Sequence, residues 1–113
     1  VPDYINPKLP NRVIVVTRDC DRSISIRRRD PVTGDPVDWG ADVEVFIKID
    51  IDRNSPTRVT GTVDGSLATI RMESTLLDTV RNGTTWRVIM SQPGVPRFET
   101  AVMVGTFERN DGK

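Results

Sequence analysis

From residue 13 onward, hydrophobic and polar positions alternate with a period of two, which predicts strands rather than helices. Residues 13–17 (VIVVT) are a short β-branched run, and residues 23–27 (SISIR) alternate polar and apolar. The longest run covers residues 42–51. There Val43, Val45, Ile47, Ile49 and Ile51 share one face, opposite Asp42, Glu44, Lys48 and Asp50. Further strands are predicted over residues 57–63, 67–73, 84–91 and 97–109. Turn chemistry separates them: two Asp-Pro steps and a Thr-Gly within residues 30–40, Asn54-Ser55-Pro56, the hairpin signal Asp64-Gly65, and Pro93-Gly94. One segment departs from the period. Residues 74–83 open on Ser74 as an N-cap, carry Leu76, Leu77 and Val80 at helical spacing, and close on Asn82-Gly83. They predict one to two turns of helix.

Seven short strands and one helical turn predict an all-β fold, an immunoglobulin-like antiparallel β-sandwich. In that reading Trp86, early in the sixth strand, sits where an aromatic pins the corner between sheets. The single cysteine, Cys20, excludes an internal disulfide, so the sandwich must rest on aliphatic packing from both sheets. Val45, Ile47, Ile49, Trp86 and Val88 are the expected core, each branched residue of the longest strand contributing about 1.5–3 kcal/mol before chain entropy is subtracted. Residues 1–12 (VPDYINPKLPNR) hold three prolines and no periodicity, and read as an extended arm ahead of a single domain at residues 13–113. Such an arm becomes ordered only against a surface, the domain's own or a neighbouring subunit's.

Composition mostly excludes. The chain has 113 residues with 16 basic and 16 acidic side chains, so the basic excess of a general nucleic-acid or membrane-surface binder is missing. It has no histidine, which excludes a Ser-His-Asp triad, a Cys-His pair and a His-ligated metal. No apolar run approaches the roughly 18 residues of a membrane-spanning helix, and the opening Val-Pro-Asp-Tyr lacks the features of a secretory signal. Carboxylates do pair in sequence: Asp19 with Asp21, Asp50 with Asp52, and Asp30, Asp35 and Asp38 in one loop. They fall on solvent faces or open loops, where nothing raises a pKa for acid catalysis. Asp50, Asp52 and Asn54 lack the loop spacing and distal glutamate of a calcium site. Alternation splits Arg27 and Arg29 from Arg28, so that run braces neighbouring acids or a partner subunit rather than a nucleic acid. Cys20, between two aspartates, reads as an unreactive thiol. No enzyme activity, cofactor, metal or small-molecule ligand is expected.

One pattern exceeds what a one-sided sheet needs. The last strand carries Phe98, Val102 and Val104 on one face and Ala101, Met103 and Phe107 on the other. Ile89 faces away from Trp86, Val88 and Met90, and Phe46 interrupts the polar face of the longest strand. An outward apolar patch of Phe46, Ile89, Val102 and Val104 is therefore expected, with Tyr4 and Ile5 of the arm as further contacts to a partner.

These segments together resemble the small β-sandwich virion proteins of phages that infect actinobacteria, the minor tail or tail-fibre-associated type. The matching stretches are residues 38–47 (DWGADVEVFI), 59–63 (VTGTV), 68–70 (ATI) with the turn at 74–83, 86–88 (WRV), and 102–112 (VMVGTFERNDG). A similar order of turns and strands occurs in immunoglobulin-like N-terminal domains of baseplate receptor-holding proteins. The resemblance implies a non-enzymatic virion protein made in the host bacterial cytoplasm. It implies partners among other tail or capsid subunits, homo-oligomerisation in the particle, and no catalytic residue to carry over. Two further readings stay open: capsid decoration, and a carbohydrate-binding module using Trp39 and Tyr4.

Overall fold

The computed structural model describes residues 11–52 and 54–111. Over these the chain forms β1 (Asn11–Val16), β2 (Arg22–Arg27), β3 (Glu44–Ile49), β4 (Thr57–Thr60), β5 (Thr62–Asp64), β6 (Leu67–Met72), α1 (Ser74–Leu77), β7 (Thr85–Gln92) and β8 (Phe98–Arg109). The strands build two sheets, β1-β8-β7-β3-β4 and β2-β6-β5. This is an all-β sandwich. The order β8-β7-β3-β4 opposite β2-β6-β5 is that of an immunoglobulin-like sandwich of the variable type. Among the described strands, only β1 and β8 pair in parallel.

The period-two pattern sets the interior. Val45, Ile47 and Ile49 point inward from β3, opposite Met90, Val88 and Trp86 of β7, and meet Ala68, Ile70 and Met72 of β6 in one buried cluster. Trp86 donates its indole N–H to the Thr106 carbonyl at 3.0 Å. Its cross-strand partner is Gly105. A Cβ there would lie 2.5 Å from Trp86 Cζ2 and collide with the Arg12 carbonyl, so the indole and β1 both close on bare backbone.

Several expected boundaries move, each for a local reason. Residues 57–63 are two strands, not one: β4 pairs with β3, β5 with β6, and the chain changes sheets at Gly61. The Gly61 N–H donates to the Val45 carbonyl at 2.8 Å, and a Cβ on it would sit 2.7 Å from Ile70 Cγ1. Only a glycine passes between the sheets that tightly. β3 is shorter than residues 42–51, because Asp42 takes a left-handed φ of 58° and the Ile51 N–H folds back onto the Ile49 carbonyl. Strand β1 includes Asn11 and Arg12, which the sequence pattern places in the arm. The Val16 carbonyl accepts the Asn110 N–H at 3.3 Å, so alternate residues Arg12, Ile14 and Val16 turn their backbone groups to β8. Proline comes next in that series at position 10, without an N–H to extend the ladder. The remainder of the arm, residues 1–10, lies outside the described residues.

The helix is a single turn, the shorter of the one to two expected, and its cap is Glu73 rather than Ser74. The Ser74 N–H is taken by the Asp21 carboxylate at 2.8 Å. At the other end Arg109, whose side chain is buried, donates to the Leu77 and Val80 carbonyls at 2.8 and 2.9 Å and forms a two-pronged pair with Asp111. Both ends of this turn are thus held by residues distant in sequence.

Candidate interaction surfaces

Asp50, Asp21, Asp30 and Asp52 are engaged one by one rather than gathered into a site. Asp50 accepts the Thr85 hydroxyl at 2.6 Å and the Arg87 guanidinium at 3.0 Å, which together hold it below the ordinary carboxylate pKa. Asp21 is lowered by Arg71 and by the Ser74 N–H. Asp30 is lowered by the N–H groups of Thr33 and Val32, which it caps within its own loop. Asp52 accepts the Asn54 N–H. All the resolved shifts among these acids run downward, opposite to what a general acid at neutral pH needs. Among the described residues, no three acidic or Cys side chains converge on a common point.

The arginine run does not pair with acids, as expected from sequence, but with a hydroxyl and carbonyls. Arg27 donates to Ser66 Oγ at 2.7 Å, Arg28 to the Asp38 and Trp39 carbonyls, and Arg29 to the Gly34 carbonyl at 3.0 Å. They brace residues 30–40 against the β5–β6 turn, where the Trp39 N–H also bonds the Gly65 carbonyl. Trp39 is only 4% exposed, with its indole N–H unpartnered, and Arg28 lies 5.9 Å from its ring centroid. A buried ring offers no stacking platform for a sugar. Cys20 is free and exposed.

The expected outward patch is also different in kind. Phe46 and Ile89 are cross-strand neighbours on the outer face of the larger sheet, yet they are 0% and 9% exposed. The Arg58 guanidinium stacks over Phe46 at 3.8 Å from its centroid, is tied to Glu44 at 3.2 Å, and Lys48 flanks the ring. Long cationic side chains thus roof this apolar face, which neither hydropathy nor periodicity reveals. Phe98, Val102 and Val104 do not share a face. A bulge between Val88 and Ile89 makes β8 step from Met103 to Ala101, so parity flips at Val102. Val104 then pairs with Arg87 and Phe98 with Gln92, on opposite faces. Val102 and Val104 are half-buried. Tyr4 and Ile5 lie outside the described residues.

Other apolar surface takes the place of that patch. Phe98 is 63% exposed and Val95 fully so at the β7–β8 turn. This turn is clamped to the loop before β3 by Arg97, which donates to the Asp42 and Ser91 carbonyls. A second surface is a groove of about 270 Å³ between the edges of β1 and β2, lined by Arg12, Ile14, Ile24, Ile26, Trp86 and Met103. It continues as a groove of about 250 Å³ along Val13, Val15, Arg22 and Ser23. Sequence reasoning missed this groove. Its one trace is the apolar pair Ile24 and Ile26 on a strand whose neighbours are invisible in the sequence.

Compared with known proteins, the chain matches a family described as "LtfC-like, beta-sandwich domain" over residues 8–110. No curated protein matches it.

Proposed function

Because the chain belongs to the LtfC-like β-sandwich family, we propose that it is a non-enzymatic structural subunit of a phage particle, related to tail-fibre proteins. In this reading it is a minor tail protein or adaptor that docks on other virion subunits, in a phage of an actinobacterial host. The match over residues 8–110 carries the proposal, since it spans the whole sandwich. The site chemistry supports it: Asp30 caps a turn, Asp21 holds a helix end and Asp50 pairs with Arg87. Besides Val32, Val37 and Ile51 in loops, the exposed apolar residues are Val95 and Phe98 at the β7–β8 turn and Val13 on the edge strand β1, places suited to subunit contact.

The deciding experiment is electron microscopy of purified virions with the chain labelled. A few copies, or a small multiple of three or six, at the tail are expected. Hundreds of copies over the shell would replace the tail reading with capsid decoration. Deletion of residues 1–10 is expected to abolish incorporation, measured by mass spectrometry of purified particles, and unchanged incorporation would remove the arm from the docking surface.

A further inference from the structure

The two sheets differ by two strands, and the difference is concentrated at one side. β3 and β4 lie against β5 and β6. Counting outward from that overlap, the smaller sheet ends at β2, while the larger one continues through β8 to β1. The inner faces of β1 and β8 therefore look onto an empty strand position beside β2. The groove lined by Ile14, Met103, Trp86, Ile24 and Ile26 is that position.

The edge of β2 is ready to pair. The Arg28 N–H donates to the Ser66 carbonyl in line with the β2–β6 register, so even-numbered residues of β2 turn their backbone groups to β6. Ser23, Ser25 and Arg27 consequently point N–H and C=O outward, with no strand beside them among the described residues. Ile24 and Ile26, half-buried, turn their side chains into the groove.

We propose that this groove receives residues 3–9 of a second copy of the chain as an added antiparallel strand. The proposal deepens the docking reading above by naming the arm's acceptor. Residues 3–9 (DYINPKL) are bounded by Pro2 and Pro10. With Tyr4, Asn6 and Lys8 turned to β2, Pro7 falls on the far side, where its missing N–H costs nothing. In an antiparallel pair that choice places Ile5, Pro7 and Leu9 on the same side as Ile24 and Ile26, filling the groove with apolar side chains. Seven extended residues span about 23 Å, enough to follow all of β2.

The chain's own arm does not fit this way. Val15 accepts from Arg22 Nε at 2.7 Å, and Arg12 lines the groove with Ile26, so β1, in the other sheet, faces β2 across the groove and runs in the opposite direction. To enter the groove, the arm preceding Asn11 must reverse and run parallel to β2. That orientation either turns Tyr4, Asn6 and Lys8 into the apolar groove or sets Pro7 against the edge it should bond.

Sedimentation velocity on the full chain, up to about 100 μM, tests this in solution and independently of any particle. The wild-type chain is expected to self-associate. Ile5→Asp with Leu9→Asp removes the donor's apolar face, and Ser25→Pro removes an outward N–H of the acceptor; each is expected to weaken association roughly tenfold or more. Mixing the two variants pairs an intact groove with an intact arm and is expected to restore association. Ser23→Pro replaces Ser25→Pro if circular dichroism shows the latter misfolded. A monomeric wild-type chain overturns the proposal, as does association that survives these substitutions or a mixture that stays monomeric. A chain found in virions yet monomeric in solution would overturn this inference and leave the structural role standing.

Discussion

Two tryptophans of similar burial have opposite chemistry, and a matched pair of substitutions separates them. Trp86 bonds the Thr106 carbonyl through its indole and covers Gly105, whereas the Trp39 indole N–H is buried without a partner. An unsatisfied buried donor costs about 1–3 kcal/mol. Trp39→Phe trades that cost against lost packing and is expected to change stability by less than about 1 kcal/mol. Trp86→Phe loses both bond and packing and is expected to cost about 2–4 kcal/mol. Urea denaturation at equilibrium ranks them, and equal losses would refute the argument. Phe46 makes a related point. It lies on the outer face of a sheet but is as buried as the core, beneath Arg58. Phe46→Ala is expected to cost about 3–5 kcal/mol in the same assay, as core aromatics do. A change there tests folding before it tests docking.

Among the elements, β8 does the most varied work. Its C-terminal half holds β1 and β7 together where Gly105 admits both the indole and the Arg12 carbonyl, and its N-terminal half changes parity at Val102. Gly105→Ala forces one of those neighbours away and is expected to cost at least about 3 kcal/mol, read by thermal unfolding. Gly61→Ala, at the crossing from β4 to β5, is expected to cost about 1–3 kcal/mol, because Ile70 Cγ1 is the movable end of a side chain. The turn α1 depends on remote tethers: Asp21 at its start and Arg109 at its end. Arg109→Met takes the side-chain donor from the Val80 carbonyl and from the Leu77 carbonyl, which keeps only the Val80 N–H, and should destabilise more than Arg71→Met, whose guanidinium is largely exposed.

For the whole molecule on the acid side of neutrality, pH acts through carboxylates, since there is no histidine to titrate there. Asp50, Asp21 and Asp30 all have folded-state pKa values below their ordinary ones. A depressed pKa contributes stability that is complete above the unfolded value, about 3.9, and is lost as pH falls through the folded one. Stability should therefore be level from about pH 5 to 7 and decline below about pH 4. Asp50→Asn is expected to make the acid limb shallower, and an unchanged limb in urea titrations at stepped pH would contradict the assignment. The unequal sheets also leave the sandwich open along β2, so hydrogen exchange should be fast at Ser23 and Ser25 in any chain whose groove is empty, and slow at β3 and β7, which are paired on both sides.

Local pattern along the chain determined the strand character, the inward row of β3, the hairpin at Asp64-Gly65 and the sandwich class, because side-chain alternation and turn residues act over a few neighbours. The tertiary structure alone decided the rest. Whether Phe46 was exposed depended on Arg58 from the adjoining strand, and the faces of β8 depended on one bulge residue that alternation cannot announce. The split at Gly61 depended on how close two sheets approach. The open groove exists only because three strands lie against five, a difference set by long-range pairing, in which each strand's neighbours are distant in sequence.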